Sequence, residues 1–399
     1  TTYIDFYRYF IPKVIVTTID QLLLTVLHAG KYYIRRYNLD GALIVLDEYH
    51  LLTPEMLAAL KWFLAKYSKE YGLSTLMMSA TPSPLYSNTI LETVQDTAIL
   101  TLREEYQHLK RHKIDLVDMN VEDFINEKLE LIKNKRTLVI VNTVKEAQKI
   151  YQTLREDLGK KKNITLIHSK FAYLDRTKKE EYMNKTSVLV STQVAEVSLD
   201  ISFDLLITEI APTPSLIQRF GRVNRYGKIT EDVNIFICKA KSEHPYGPIQ
   251  MKWADSKIRE IREKSEKIGE AIYLDERFWD YEILYRNEID KFEATIKEKI
   301  ENILLDFYSL REDEQRLSKI LGREFNWLSI PELYLETAHN LLKEIKFTSN
   351  YNQRRIIYSK IKQYFVPASL NDVKKANMDE ILKIPVLKNY DKELGIIEF

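Results

Sequence analysis

Short apolar runs separated by stretches of helical period set the pattern from about residue 13 to residue 237. The runs are Val14-Ile15-Val16, Ala42-Leu43-Ile44-Val45-Leu46, Thr75-Leu76-Met77-Met78, Thr137-Leu138-Val139-Ile140-Val141, Ile164-Thr165-Leu166-Ile167, Ser187-Val188-Leu189-Val190, Asp204-Leu205-Leu206-Ile207 and Val233–Ile237. They are continuous rather than alternating, the pattern of strands buried on both faces of a parallel sheet. Helices are expected between them over Gln21–His28, Pro54–Ser68 and Val144–Leu158. Thr53-Pro54 offers a cap and a first-turn proline. Strand and helix alternate, so the expected class is α/β with doubly wound parallel sheets. Residues 83–134 are mixed, with a helical stretch near Val121–Lys133, and read as a crossover between two lobes. From about Lys239 the pattern changes. Met251–Ile268 and Glu288–Leu310 are amphipathic helix candidates, and Arg355–Val366 alternates imperfectly, as a strand ended by Pro367.

What ends the strands carries the chemistry. Asp47-Glu48-Tyr49-His50 follows the second run directly. Two carboxylates at the end of a buried strand are costly unless something cationic binds there. In open α/β sheets that edge is where ligands sit. Nucleotide hydrolysis fits: Asp47 for magnesium through its water shell, Glu48 for the attacking water. An N-cap cluster for the following helix is the plainer alternative. Other polar tips are Thr17-Thr18, Ser79-Ala80-Thr81, Asn142-Thr143, His168-Ser169 and Ser191-Thr192-Gln193. One such tip is a turn; several suggest a binding edge. Pro214-Ser215 opens a helix toward Gln218-Arg219-Phe220-Gly221-Arg222-Val223-Asn224-Arg225. On one helix, Gln218, Arg222 and Arg225 would share a face and form an anion clamp. A surface salt-bridge helix is the alternative.

Composition narrows the classes. The 399 residues are 45% hydrophobic and 29% charged, enough for two or three cored domains. Net charge is +1, so any nucleic-acid contact must be a local groove. Cys238 is the only cysteine, which excludes internal disulfides and cysteine zinc sites and suits a reducing cytoplasm. No apolar run reaches membrane-spanning length. His108 and His112, four apart with basic flanks, read as a solvated helix face rather than a metal pair. Lys160-Lys161-Lys162 and Arg354-Arg355 read as solvated basic clusters.

In order and spacing, Asp47-Glu48-Tyr49-His50, Ser79-Ala80-Thr81, Thr192-Gln193 with Ser198-Leu199-Asp200, and Gln218–Arg225 resemble the motifs of a superfamily-two DExH helicase. Val141-Asn142-Thr143-Val144, His168-Ser169 with Phe171 and Arg176, and Leu216-Ile217-Gln218-Arg219 resemble, more narrowly, the helicase of type I CRISPR interference. The resemblance is close over about residues 13–237 and weaker beyond, at Tyr364–Pro367 and Tyr390–Gly395. It implies two RecA-like doubly wound lobes plus a mainly helical C-terminal accessory domain: 1–112 as the back part of lobe 1, 113–240 as lobe 2, 241–399 as the accessory domain. It implies ATP and Mg2+ as cofactors and an ATP-dependent single-stranded DNA translocase of antiviral defence. Partners would be single-stranded DNA, a crRNA-guided surveillance complex and an HD nuclease domain or subunit, in the cytoplasm. By the same resemblance Asp47 and Glu48 serve magnesium and water. His50, Ser79 and Thr81 couple hydrolysis to strand movement. Gln218, Arg222 and Arg225 reach ATP, and Asp200 lies near the ribose or the lobe interface. Thr17, Thr18, Asn142, Thr143, Ser169, Arg176 and Thr192 line the strand path.

Two departures bear on this reading. No G-x-x-x-x-G-K-[ST] phosphate loop occurs; Gly30-Lys31-Tyr32 fails the pattern. In the family that loop and its strand come before the position of Thr1, so the chain is expected to be the back part of a longer polypeptide. No histidine precedes an aspartate, so an HD nuclease is expected elsewhere. A DExH helicase of DNA repair or RNA metabolism, and a non-catalytic nucleic-acid-binding fragment, are the rival readings.

Overall fold

The computed structural model describes residues 9–26, 32–49, 52–79, 84–93, 98, 100, 112–159, 162–196, 201–227, 232–267, 272–273, 326–374 and 376–397. The chain divides into two units, Thr1–Thr101 with Trp279–Phe325, and Leu102–Phe278 with Asn326–Phe399.

In the first unit, helices α1 (Ile19–Val26) and α2 (Tyr32–Tyr37) precede β1 (Leu43–Asp47), α3 (Pro54–Tyr67), β2 (Ser74–Met78) and α4 (Pro84–Leu91). Strands β1 and β2 are parallel, with Asp47 opposite Met78. Thr53 caps α3 by accepting from the Met56 N–H at 3.2 Å, and Pro54 opens its first turn, as the sequence predicts. Met56, Leu57, Leu60, Phe63 and Leu64 of α3 are buried against Ile44 and Leu46 of β1.

Two expectations fail here. Strand β1 is not buried on both faces: its burial alternates, and Val45 is 50% exposed. Val14-Ile15-Val16 is not a strand, and Val16 is 98% exposed. β-Branched residues favour a pleated surface only where a neighbouring backbone completes the ladder. Among the described residues none does so for this run.

The second unit holds β3 (Lys113–Asn120), α5 (Val121–Glu127), α6 (Leu129–Asn134), β4 (Thr137–Ile140), α7 (Val144–Leu158), β5 (Ile164–Ile167), α8 (Tyr173–Glu181), β6 (Val188–Ser191), β7 (Leu205–Glu209), α9 (Thr213–Phe220), β8 (Ile235–Lys239), α10 (Pro248–Lys267) and β9 (Ile272–Tyr273). The sheet order is β5-β6-β4-β7-β8-β3-β9. Six strands are parallel, and β9 joins β3 antiparallel. Strands β4, β6 and β7 are buried at every position, which is what their continuous apolar runs require. Each fully buried Leu, Ile or Val contributes about 1.5–3 kcal/mol. Helix α7 covers this sheet with Ala147, Ile150, Tyr151, Leu154 and Leu158, at helical spacing. Thr143 caps it, accepting from the Glu146 N–H at 3.3 Å.

Strand β3 falls in the stretch read as a crossover; its interspersed Asp and Lys residues hide a strand that lies between β8 and β9. His112 sits just before it and is buried, its Nε2 2.9 Å from the Val223 carbonyl. It is therefore not on a solvated helix face, because pairing of β3 with β8 draws it inside. His108 and Lys160-Lys161 lie outside the described residues.

The C-terminal part holds β10 (Trp327–Pro331), α11 (Glu332–Phe347), α12 (Tyr351–Lys362), β11 (Val366–Ala368), α13 (Leu370–Val373), β12 (Asn377–Met378), β13 (Pro385–Leu387) and a hairpin of β14 (Tyr390–Asp391) and β15 (Gly395–Ile396). Helix α10 matches its expected span closely, while 288–310 lies outside the described residues. The expected strand over 355–366 is mostly helix α12. Asn350 accepts from the N–H groups of Asn352 and Gln353 and starts it, and Ile357 and Ile361 share its buried face. The sequence also gives no warning of the small sheet β11-β10-β13-β12 that these helices pack on. Among the described residues no helix is long and apolar enough to cross a membrane.

Candidate nucleotide and strand site

In the first unit the tips of β1 and β2 share one edge, since Asp47 and Met78 are register partners. Asp47 is exposed, and its Oδ1 accepts from the Glu48 N–H at 3.1 Å. Glu48 has φ +51°, a left-handed backbone that a non-glycine residue adopts at a cost of about 1–3 kcal/mol. The chain thus turns sharply at the acid. Ser79 leaves β2 at the same edge, half-buried. Thr17 and Thr18 are exposed ahead of α1. His50 and Thr81 lie outside the described residues.

In the second unit the loops after β4 and β7 leave in opposite directions along the sheet, to β5 and to β8. Such a switch point is where open α/β sheets place ligands. Here Arg219, fully buried, fills it. Its Nε donates to Glu196 Oε1 at 2.8 Å, its Nη1 to Thr208 Oγ1 at 2.8 Å and the Glu209 carbonyl at 3.0 Å, its Nη2 to Asn142 Oδ1 and Tyr246 Oη at 3.0 Å. All five guanidinium donors are used, the condition under which a buried charge is tolerable. Burial pushes the Glu196 carboxyl up, and the Arg219 charge pulls against it. Burial also pushes Glu209 up, opposed by the N–H groups of Asn142 and Lys241.

Several candidate residues meet at this hub. Asn142 uses both ends of its amide there, accepting from Arg219 and donating to the Ile210 carbonyl at 2.9 Å. Gln193 donates to the Asn142 carbonyl at 2.9 Å, which ties the buried Thr192 turn to it. Arg222 Nη2 donates to the Glu196 carbonyl at 2.5 Å. Helix α9 ends at Phe220, so Gln218, Arg222 and Arg225 do not share one helix face. The chain turns at Gly221, and Asn224 takes φ +47°. Arg225 is exposed beyond that turn, its N–H bonded to Ser202 Oγ at 3.1 Å. Thr143 serves as the α7 cap. Asp200 lies outside the described residues. The sequence singled out the arginines flanking Arg219 but gave Arg219 no role; its signal was charge beside Phe220 on the apolar side of a short helix.

Ser169 and Arg176 lie apart from the hub, around the turn that links β5 to α8. Ser169 is exposed; Arg176 pairs with Glu180 at 2.7 Å. The hairpin β14–β15 closes on this turn. His168 is fully buried, its Nε2 donating to the Leu394 carbonyl at 2.8 Å while its Nδ1 accepts from the Lys170 N–H at 3.2 Å. Burial holds it neutral, its pKa lowered to about 3. Asp175 accepts from Tyr334 Oη at 2.7 Å and Tyr390 Oη at 2.6 Å. Lys170 pairs with Asp372 at 2.9 Å. Gln148 donates to the carbonyls of Leu394 and Ile396, both at 2.7 Å. Sequence spacing could not show this latch, because its partners lie more than 150 residues apart.

Among the described residues no group of three or more His, Cys, Asp or Glu side chains forms a metal cage. A lone exposed Asp47 fits a magnesium ion held largely by water and phosphate. Cys238 is buried and its thiol pushed up to about 12, so it offers no nucleophile.

Residues 133–228 match the family described as CRISPR-associated nuclease/helicase Cas3, C-terminal. A putative CRISPR-associated nuclease/helicase Cas3 of Methanocaldococcus jannaschii is 32% identical over 238 residues, 55% of this chain and 32% of that protein. The chain spans 32% to 39% of the length of the first curated relatives it matches. A CRISPR RNA-guided surveillance complex in a pre-nicking state contains a chain that superposes with TM-score 0.65 at 17% identity, over 98% of this chain and 61% of that one. The T. fusca Cas3-ATP crystal structure gives TM-score 0.60 at 18% identity, over 94% and 52%.

Proposed function

From a chain that is a relative of the CRISPR-associated Cas3 helicases, we propose the working parts of an ATP-dependent single-stranded DNA translocase of type I CRISPR interference. The observation that carries the reading is the division of chemistry between the units. One strand edge presents Asp47 and Glu48; the other leads into a turn that exposes Arg225 after a buried, fully bonded Arg219.

ATP with Mg2+, when bound, would supply the transferable phosphoryl group and its charge neutralisation. Asp47 would hold the ion through water, and Glu48 would orient the attacking water and take its proton. The sharp turn at Glu48 fixes that carboxylate relative to the strand tip. Arg219 keeps the α9 turn rigid, so that Arg222 and Arg225 are positioned as anion donors without folding on contact. Exposed Thr17, Thr18 and Ser169 fit phosphate contacts that carry no sequence information; Thr143, Arg176 and Thr192 would reach a phosphate only by leaving the cap, the ion pair and the buried turn that hold them. Asn142, bonded at both ends of its amide, fits a positioning role better than a direct one. Cytoplasmic location, a crRNA-guided surveillance complex and an HD nuclease as partners belong to the same reading.

These 399 residues contain no phosphate loop, so purified residues 1–399 should show negligible ATP hydrolysis even with single-stranded DNA. Strong strand-stimulated turnover would overturn the assignment of the missing cradle. In a polypeptide that also carries the loop, Arg225→Ala should lower kcat on the order of 10²-fold or more while ATP binding and strand binding change little. If strand binding is lost and turnover per bound complex is kept, Arg225 belongs to the strand path instead. Glu48→Gln in the same polypeptide should bind ATP and fail to hydrolyse it.

A further inference from the structure

Helix α12 departs from the other surface helices of this chain. In α8 and α10 several part-exposed cations are matched along the helix, Arg176 with Glu180, Arg259 with Asp255, Lys257 with Glu260, although the exposed Lys178 and Lys252 are not. Helix α12 has no acidic residue. From Lys343 to Lys362 six Lys and Arg face one acid, Glu344, a local +5 in a chain of net +1. Among the described residues, none of Lys343, Lys346, Arg355, Lys360 and Lys362 has a carboxylate partner. Like charges gathered on one helix repel and are destabilising in isolation, so the pattern suits an anion supplied from outside.

The shape of the face narrows the anion. Among the described side chains of α12 only Ile357 and Ile361 are buried. Arg355, Tyr358 and Lys362 recur at i, i+3 and i+7 along one exposed flank. Tyr358 is 52% exposed, with Lys362 Nζ 5.4 Å from its ring centre. At the α11 end, Lys346 precedes Phe347, which is 89% exposed. Cations interleaved with exposed rings are how single strands are gripped: phosphates on the cations, unstacked bases on the rings. A duplex keeps its bases stacked and offers the rings nothing. A protein partner would be poorly served by a lysine-rich face, since lysine is depleted at such interfaces.

We propose that this face, Arg355, Tyr358 and Lys362 of α12 with Lys346 and Phe347 of α11, binds single-stranded nucleic acid. It lies on other elements than the strand-path residues, though the end of α12 meets the start of α8, where the Leu174 N–H donates to the Gln363 carbonyl at 2.8 Å. Its test contains no nucleotide, so a failure of the ATPase reading leaves it unaffected.

The test is fluorescence anisotropy of residues 1–399 with a labelled oligothymidine of roughly 16 nucleotides, titrated over a range of salt. Arg355→Glu with Lys362→Glu should weaken binding at low salt by about tenfold or more. It should flatten the slope of log affinity against log salt by about 1.4, two single-strand phosphate contacts at ~0.7 each. Tyr358→Ala should weaken binding by about fivefold or more and leave the slope unchanged. Arg355→Lys with Lys362→Arg should keep affinity and slope. All positions are exposed, and circular dichroism verifies the fold. The proposal is overturned if the charge-reversed protein keeps the wild-type slope, if Tyr358→Ala has no effect, or if duplex DNA shows the same losses as the single strand.

Discussion

Strands β1 and β4 are both short runs of Leu, Ile and Val, yet β1 leaves Leu43 63% exposed whereas β4 is buried at every position. Strand β4 lies between β6 and β7 under α7; β1 pairs with β2 and is covered on one face by α3. The tips differ in the same sense. Beyond β4, Asn142 is locked into the Arg219 hub. At the end of β1, Asp47 faces solvent and Glu48 sits on a strained turn. One sheet edge is tied into a buried network, and the other leaves Asp47 open to solvent.

The sharpest way to break this contrast is Arg219→Ala. It would leave Glu196 and the Asn142 amide buried without their partner, at about 3–5 kcal/mol. Hydrogen-exchange mass spectrometry should show protection lost across β4, β7 and α9 while α3 keeps its own. Equal loss in both units would mean that the hub does not belong to the second unit alone.

Gly395→Ala comes next. Gly395 has φ +76°, and an added Cβ would meet the Lys170 carbonyl at 2.5 Å and His168 Cε1 at 2.6 Å. Backbone cannot yield as a flexible side chain does, so about 1–3 kcal/mol is expected. Exchange should rise at the turn linking β5 to α8. Gly41→Ala, with φ +64° but nothing within 4 Å, is the matched control and should cost less.

Acid should act on the same latch. His168 has its folded pKa lowered to about 3, well below its unfolded value of about 6.5. The unfolded chain therefore binds the proton more readily between those values. Stability is full above pH ~6.5 and falls as pH drops through the window, by at most about 1.4 kcal/mol per pH unit. Burial is the chief cause, and a second ring proton on Nδ1 would also face the Lys170 N–H. His168→Gln should flatten the dependence of Tm on pH between 6.5 and 5; an unchanged dependence removes His168 as the cause.

The smallest effect sharpens the comparison most directly. Val45→Thr, half exposed, should move the urea midpoint by no more than the equivalent of about 0.5 kcal/mol. Val139→Thr in β4 buries a hydroxyl and should cost about 1–3 kcal/mol. Similar costs at the two positions would mean that β1 is as enclosed as β4.

The helix α7 and strands β4 to β8 were legible because period is local, whereas Thr143, read as a strand contact, turned out to cap α7. Val14-Ile15-Val16 misled because a strand needs a neighbour that composition cannot name. The helix face drawn through Gln218, Arg222 and Arg225 failed because Gly221 and the left-handed Asn224 turn the chain first. Arg219 was in view but its role was not, since five partners spread from Asn142 to Tyr246 leave no local trace. The clustering of Arg354 and Arg355 was visible, but the one-sidedness of α12 emerged only once Ile357 and Ile361 were seen buried.

The hairpin that holds His168 also imposes a schedule on synthesis. Leu394 follows His168 by 226 residues. At about 5–20 residues per second, the ribosome needs roughly 10–45 s to make the second after the first. Throughout that interval the nascent β5–α8 turn, with Ser169 and Arg176, must wait with its histidine unmatched. Folding of this edge is therefore tied to a stretch made 226 residues later, and a stop codon shortly before Tyr390 would release a sheet whose β5–α8 turn had never been fastened.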